Sequence, residues 1–587
     1  MDASSGRRHL RILRLRLDIL ARWRPGARGR LLFMALVTGI AAALVAELFK
    51  EASGFIQYLL TGVRATHVAS FEAMPLWRRL LVPTLGGFLA GTVLLLGKRM
   101  GERRSTSYME AVTLGSGIVP VRMSLLRSFS SVFSIASGEA IGREGPLAQL
   151  SAMAGSIVGR LRREPPARLR LMVACGAAGG LAAAYSAPIA GALFVAEIII
   201  GSISMETLAP LLVSSISSAF TVRMIEGEGS LYPVDFGASP GVTATVFFLA
   251  VGLVCGFCAP VFVTILKAGR RLFSRMPDLP PVNLALGGLL VGLAAMSHPE
   301  VVGNGQSVIR GMLQGGADWQ GVLVLLLLKV AIVAAVFGSG AVGGVFTPSL
   351  LVGASLGYLC GSAAQALGFA EVSPVTSAVV GMGAFLCAVT QAPAMAVLML
   401  FEMTMSPGAL VPLVAASAAA YAAVKALRAD SLYRETLTSG PKSVFDRDMG
   451  EIRVADLLRP QFAKIGARSD FSEIAGRFLA EGETMLPVAD AEGRYLGAVL
   501  LSDVRAYLRE GDLAGSVIAR DILHEEVAPI PADADLAGAM RVFSGDDRDS
   551  LPVVDGSGRL AGMLGRADLF LVISELTRRR GHGIAQA

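Results

Sequence analysis

Charge is scarce in this chain. Asp, Glu, Lys and Arg make up 17% of its 587 residues, and 53% are hydrophobic. Several windows carry no charge at all, among them Val242–Leu266, Val375–Phe401 and Gly408–Val424. That is too apolar for a soluble enzyme of this length. A membrane span needs roughly 20 apolar residues, so the windows predict membrane helices, some of them short or broken. Cysteine is also rare. Cys175, Cys255, Cys258, Cys360 and Cys387 all lie in apolar segments, and the C-x-x-C at Cys255 and Cys258 sits inside a hydrophobic helix. Buried packing fits these thiols better than redox or metal chemistry. The five histidines are scattered and none pairs at ligand spacing, so no metal is expected. No small-residue cleavage site follows a short apolar core near the start, so no signal peptide is expected.

The net charge of +7 does not point to nucleic acid. Much of it sits in Met1–Arg30, with nine arginines and two acids, and in the loops Lys98–Arg104 and Arg160–Arg170. Positive flanks mark the cytoplasmic side of a multi-pass protein of the cell membrane, so the N-terminus is placed inside. Leu10–Trp23 mixes Leu, Ile and Arg at helical spacing and reads as a segment lying on the inner surface. Composition changes near Gly440. Leu31–Leu437 is apolar; from there to Leu576 charges are frequent and apolar residues alternate, as in a soluble α/β region. The expected organisation is a basic segment over 1–30, an all-α polytopic membrane domain over 31–440, a soluble domain over 450–578 and a tail over 579–587.

Within the apolar block, Gly142-Arg143-Glu144-Gly145-Pro146 holds a carboxylate between two glycines. An acid at membrane depth is costly and marks a functional candidate by default. Gly142 and Gly145 can leave helical geometry, and Pro146 suits the first turn of a new helix. Exposed N–H groups at such a helix start stabilise an anion. The structural alternative is a helix break with Glu144 paired to Arg143. The block also repeats itself. Ser186–Gly191 leads to Glu197, and Gln391–Met395 leads to Glu402. The proline-to-glutamate spacing is nine in both, and the copies are 205 residues apart. Gly142–Pro146 is echoed 202 residues later by Gly344-Val345-Phe346-Thr347-Pro348. Two halves, roughly 31–224 and 242–437, follow, as in transporters built from inverted repeats with a site at the midplane. The second helix start offers bare backbone donors, which suit a dehydrated halide that must also leave. A cation site would want rings of carboxylates or carbonyls.

These residues resemble the ClC family of chloride channels and proton/chloride antiporters. Gly142–Pro146 matches that family's gating-glutamate motif G-R-E-G-P, Gly344–Pro348 its G-x-F-x-P motif, and Tyr433 its late tyrosine. The resemblance covers about Leu31–Leu437. It implies a homodimer in the lipid bilayer with a separate anion pathway in each subunit, chloride as the transported ligand and no cofactor. It also implies that Glu144 gates, that Val345 and Phe346 give amides to the anion, and that hydroxyls come from Tyr433 and from the first family motif. That motif, G-S-G-I-P, is not present intact. Gly115–Pro120 has an extra residue, and Ser116 lies only 28 residues before Glu144. The family spacing of about forty, consistent with an intervening helix at ~1.5 Å per residue, falls on Ser105–Glu110. It assigns the hydroxyl to Thr106, with Ser107 next. Proton-coupled members often carry an internal glutamate directly after the one matching Glu197, where this chain has Ile198. That leans the expectation toward channel-like or weakly coupled permeation, with the proton-coupled antiporter as the alternative. Glu197 and Glu402 are expected to cap or pair. Glu139 is an extra acid, read as a wall residue or helix-end partner, with an unusual proton station as the sharper alternative. Lys329, in an apolar helix, is expected to be paired or to snorkel.

After the apolar block, Val454–Leu508 and Ala519–Leu576 look like two copies of one unit. Met485-Leu486-Pro487-Val488 recurs as Ser550-Leu551-Pro552-Val553, and each run leads to a late acid, Asp503 or Asp568. This resembles a pair of CBS domains placed in the cytoplasm, which often bind adenine nucleotides with the late Asp on the ribose. The Thr or Ser commonly found three residues before that Asp is replaced by Leu500 and Gly565, so a dimerising or gate-coupling role is an equal expectation. A membrane enzyme using Glu144 as general acid lacks a nucleophile–base pair. A cation transporter regulated by the CBS pair lacks converging carboxylates at Gly344–Pro348.

Overall fold

The computed structural model describes residues 27–99, 107–113, 117–201, 203–227, 229–236, 241–369, 371–433, 452–458, 462–481, 484–504, 517–544, 546, 548, 550–566 and 569. Thr106, Ser116, Asp568, the segment Leu10–Trp23 and the tail 579–587 lie outside them. The chain divides into two compact units, Met1–Tyr433 and Arg434–Ala587.

The described part of the first unit is helical throughout. It begins with α1 (Ala27–Thr61), α2 (His67–Glu72), α3 (Leu76–Arg99), α4 (Tyr108–Thr113) and α5 (Val121–Ala136). There follow α6 (Glu144–Leu161), α7 (Pro166–Tyr185), α8 (Pro188–Phe194), which runs on as a π turn over Val195–Ile200, and α9 (Met205–Glu226). After residue 241 come α10 (Val242–Phe273), α11 (Pro280–Ser297), α12 (Gln306–Leu313) and α13 (Trp319–Ser339). The last four are α14 (Phe346–Ala366), α15 (Pro374–Thr390), α16 (Pro393–Thr404) and α17 (Leu410–Ala426). Eight helices among the described residues are long and apolar enough to cross a membrane. Proline opens α7, α8, α11, α15 and α16, where its missing N–H costs nothing. Side chains of Thr66, Ser204, Asp318 and Ser373 cap other helices. Long apolar helices approach closely over small residues. A Cβ at Gly176 would strike the Ser151 carbonyl, and one at Gly252 the Ala416 carbonyl.

The charge-free window Val375–Phe401 is not one span. It breaks between α15 and α16 at Gln391 and Ala392, and the same break occurs between α7 and α8 at Ser186 and Ala187. The backbone is nearly identical at the two corners. Ser186 (φ 52°, ψ 32°) matches Gln391 (φ 58°, ψ 34°), and Ala187 (φ −122°, ψ 81°) matches Ala392 (φ −123°, ψ 81°). A left-handed residue followed by an extended one lets Pro188 and Pro393 start new short helices.

The second unit contains two three-stranded sheets built alike. In the first, β1 (Ile465–Gly466) pairs parallel to β2 (Met485–Ala489), which pairs antiparallel to β3 (Tyr495–Leu500), with α18 (Phe471–Glu481) between β1 and β2. In the second, β4 (Ile530–Pro531), α19 (Leu536–Ser544), β5 (Ser550–Val554) and β6 (Leu560–Gly565) repeat this order. Register repeats at an offset of 65, Ile465↔Val488 becoming Ile530↔Val553 and Pro487↔Ala498 becoming Pro552↔Met563. The copies join through Tyr495 N–H to Gly558 O (3.0 Å) and Leu560 N–H to Gly493 O (2.9 Å).

Candidate ion pathway site

The site forms where the two glycine motifs meet. Gly142 donates to Gly344 O at 2.7 Å, and Gly344 donates back to Gly142 O at 2.9 Å. Residues 202 apart in sequence thus close a two-residue antiparallel bridge. It sets the start of α6 beside the start of α14. Both glycines are required by the close approach: a Cβ on either would run into the Glu144 carboxylate.

Glu144 is 3% exposed. Its Oε1 accepts from the Phe346 N–H at 2.7 Å and from the Thr347 N–H at 3.3 Å, and the Thr347 hydroxyl lies 3.5 Å from Oε2. The carboxylate of α6 therefore sits on the free amides of α14, where the helix dipole and unsatisfied N–H groups favour negative charge. No ion pair joins Glu144 to Arg143 among the described residues, so the structural alternative of a local pair has no support. Around this contact is a ring of aromatic side chains. The Tyr185 hydroxyl bonds Thr347 Oγ1 at 2.9 Å, and its ring lies 4.9 Å from that of Phe346. Phe194 packs on Phe346 (6.2 Å) and edge-on to Tyr433 (5.4 Å). Tyr108, Tyr185 and Tyr433 all lie within electrostatic reach of Glu144.

The expected site residues are thus distributed as follows. Glu144, Gly142, Gly145, Pro146, Gly344, Val345, Phe346 and Pro348 gather at the two helix starts. Tyr433 joins them through Phe194. The amides that meet Glu144 belong to Phe346 and Thr347; Val345 precedes them as the N-cap of α14, buried, with its carbonyl accepting from Ser349. Ser107 precedes α4, and its hydroxyl accepts from Met109 N–H at 3.4 Å. Next to it, Tyr108 N–H donates to Gln149 Oε1 at 2.9 Å. Tyr185 and Thr347 were missed from the sequence. Thr347 stood in the open as the variable residue of G-x-F-x-P. Tyr185 had one local signal, its place just before the Ser186–Pro188 corner.

Glu197 and Glu402 cap helices, each that of the other half. Glu402 accepts from Ile189 N–H (2.9 Å) and Ala190 N–H (2.8 Å) at the start of α8, and Glu197 from Met395 N–H (2.9 Å) at the start of α16. Lys329 is 0% exposed and is paired with carbonyls, donating to Val301 O and Gly303 O at 2.6 Å each. Neither a carboxylate nor snorkelling accounts for it. In the soluble unit, Asp503 Oδ2 lies 2.8 Å from His524 Nε2, and His524 Nδ1 lies 2.6 Å from Glu526 Oε1. The hydrogen bond to Glu526, followed by Asp503, raises the imidazole above its ordinary value, and the same contact lowers Glu526.

Comparison with other proteins places this arrangement. The family model described as voltage gated chloride channel matches residues 86–425, and the CBS domain model matches residues 519–575. A ClcB-like chloride channel protein of Ralstonia nicotianae is 45% identical over 414 residues, 69% of this chain and 96% of the relative. The voltage-gated ClC-type chloride channel ClcB of Salmonella typhimurium is 37% identical over 419 residues, 69% of this chain and 98% of its own. Two solved structures share the fold. A slow cyanobacterial Cl−/H+ antiporter matches with a TM-score of 0.63 at 22% identity, over 70% of this chain and 97% of that one. A eukaryotic CLC transporter matches with 0.62 at 19% identity, over 92% of this chain and 98% of that one. The chain is a multi-pass membrane protein of the ClC chloride channel and transporter family, with a CBS region at its C-terminus.

Proposed function

We propose that this protein conducts chloride through a pathway gated by Glu144, in a channel-like or weakly coupled manner. The observation that carries the reading is the seat of the carboxylate on the Phe346 and Thr347 amides. Those donors are the anion site, and the ionised side chain fills it as a tethered anion. Protonation removes the charge that holds Glu144 there, and chloride takes its place on the same amides. Phe346 and Val345 then face the ion from α14, with the hydroxyl of Tyr433 and one from the Thr106–Ser107 segment completing its shell. No full positive charge is needed, which lets the ion leave. The basic corner between α6 and α7 faces the cytoplasm, together with the N-terminus and the CBS pair. The subunit works as a homodimer with one pathway in each copy. Adenine nucleotide at the CBS pair is not part of this reading, because Asp503 is already engaged by His524.

Channel-like conduction is favoured over tight exchange by Ile198, an apolar side chain in the π turn after α8 where an internal acid would relay protons. The test is chloride efflux from liposomes containing the full chain, with crossed chloride and pH gradients. A reversal potential that ignores the pH gradient is expected. A potential displaced from the chloride value establishes the antiporter instead. Glu144→Gln is expected to abolish acid activation and leave a constant anion leak; wild-type pH dependence in that variant sinks the gate.

A further inference from the structure

Five residues before Glu144 stands a second acid that this mechanism does not use. Glu139 is 1% exposed, and neither carboxylate oxygen has a hydrogen-bond partner among the described residues. It follows α5, its own N–H bonded to Ser134 O at 3.1 Å. Helix α5 is rich in serine on its buried side. Ser124, Ser128, Ser131 and Ser134 recur at spacings of four, three and three, which stacks them along one side of a helix. The hydroxyls of Ser128, Ser131 and Ser134 are buried and also lack partners. Ser134 faces the Glu139 carboxylate, short of hydrogen-bond geometry.

The lower end of this line is tied to the ion pathway. Gln149 Nε2 donates to Ser124 Oγ at 2.9 Å, and the same amide's oxygen accepts from Tyr108 N–H at the start of α4. The α5 entry also lies at the basic corner. Ser156 on α6 bonds both Val119 N–H (3.1 Å) and Gly117 O (2.9 Å), and Gly117 lies against Leu169 and Arg170. From Ser124 to Ser134 the helix rises ~15 Å. The serines thus run from the cytoplasmic level toward Glu139. Buried polar groups in folded proteins are almost always satisfied, and clusters that lack protein partners hold water.

We infer that α5 carries a hydrated proton route, Gln149–Ser124–Ser128–Ser131–Ser134, ending on Glu139 as a protonatable station that supplies Glu144. It rests on the reading of Glu144 as the gate. A proton enters from cytoplasmic water, passes along hydroxyls and bridging waters, and binds a Glu139 carboxylate oxygen. Glu139 then releases it toward the gate loop and regains its charge. The route bypasses Ile198. The groups around the station are uncharged on two sides: Gly86 and Gly87 on α3, and the Leu284 backbone on α11. Beyond the neighbouring Gly138–Gly303 hydrogen bond stand Lys329 on α13, bonded to the Gly303 carbonyl, and His67 on α2, whose ring lies against Gly303. Arg143 lies in the gate loop, and α5 itself carries Arg122 at its entry and Arg127 between Ser124 and Ser128, on the same side of the helix as the serines.

The experiment uses the full chain in liposomes of phosphatidylethanolamine and phosphatidylglycerol, following chloride efflux and proton movement between pH 4.5 and 7.5. Glu139→Gln and the double variant S131A/S134A are compared with wild type and Glu144→Gln. Both route variants are expected to shift the midpoint of acid activation by about one pH unit or more, with chloride efflux at acid saturation within about twofold. Wild-type profiles in both, beside a flat profile in Glu144→Gln, overturn the route and leave the gate standing. A wild-type Glu144→Gln profile removes the gate, and with it the route as a supply to Glu144, whatever Glu139→Gln shows. If Glu139→Gln does not fold, the serine variant decides, because removing unpartnered hydroxyls leaves packing nearly intact.

Discussion

The two corners of the membrane unit have the same backbone and different chemistry. Ser186–Pro188 and Gln391–Pro393 superpose in dihedral angles, and each is capped by a glutamate from the other half. The two glycine motifs break that equality. Gly142–Pro146 brings a carboxylate, whereas Gly344–Pro348 brings bare amides, and the first sits on the second. A duplicated backbone therefore supplies a balanced scaffold, and one unmatched side chain, the proposed gate, breaks its symmetry. The soluble unit repeats the pattern: two sheets in identical register, with one Asp503–His524–Glu526 trio that joins Asp503 of the first copy to His524 and Glu526 of the second.

The largest effect should come from breaking the glycine bridge. Gly344→Ala puts a Cβ into the Glu144 side chain and should expel it from the amides. Chloride efflux at pH 7.5 should rise about tenfold, the equivalent of ~1.4 kcal/mol. A folded variant with wild-type efflux would show that Glu144 does not occupy the path. Replacing a cap acts on stability instead of flux. Glu402→Gln weakens two charge-assisted hydrogen bonds at α8 and should cost ~1–3 kcal/mol, read as a lower Tm in detergent. Glu197→Gln, with one such bond at α16, should cost less than that. The reverse order would mean that the number of amides held does not set the load at each corner.

The smallest effect belongs to the soluble unit. The folded imidazole of His524 is raised by Glu526 and Asp503, so its contribution is complete below the ordinary value of 6.5 and fades as pH climbs through the raised one. Glu526 is lowered, so its share is present above 4.5 and is lost as pH falls through the lowered value. The unfolding midpoint of the soluble unit, followed in the full chain, should drop as pH rises above 6.5. His524→Gln should flatten that slope; an unchanged slope would assign it to other groups.

Much of this was legible beforehand. The helix break at Gly142, Gly145 and Pro146 announced itself, because proline and glycine act locally on the backbone; Pro188 and Pro393 were read only as marks of the repeat. Capping by Glu197 and Glu402 was expected, but not that the caps are exchanged. Lys329 was read as paired or snorkelling, and its partners proved to be two carbonyls. The first anion motif could not be placed by spacing alone, and Thr106 lies outside the described residues. Tyr185 escaped notice because a single tyrosine in a small-residue helix has no periodic signature.

By itself the sequence determined the apolar spans, the position of each helix start and the repeat at 202 and 205 residues. These depend on short-range terms: chain stiffness, missing N–H groups and runs of apolar side chains. Only the tertiary structure decided that Gly142 meets Gly344, that Glu144 lands on the amides of Phe346 and Thr347, and that Glu139 is left without a partner. Those outcomes join residues some two hundred positions apart, or depend on what three neighbouring helices fail to offer. No local preference encodes either.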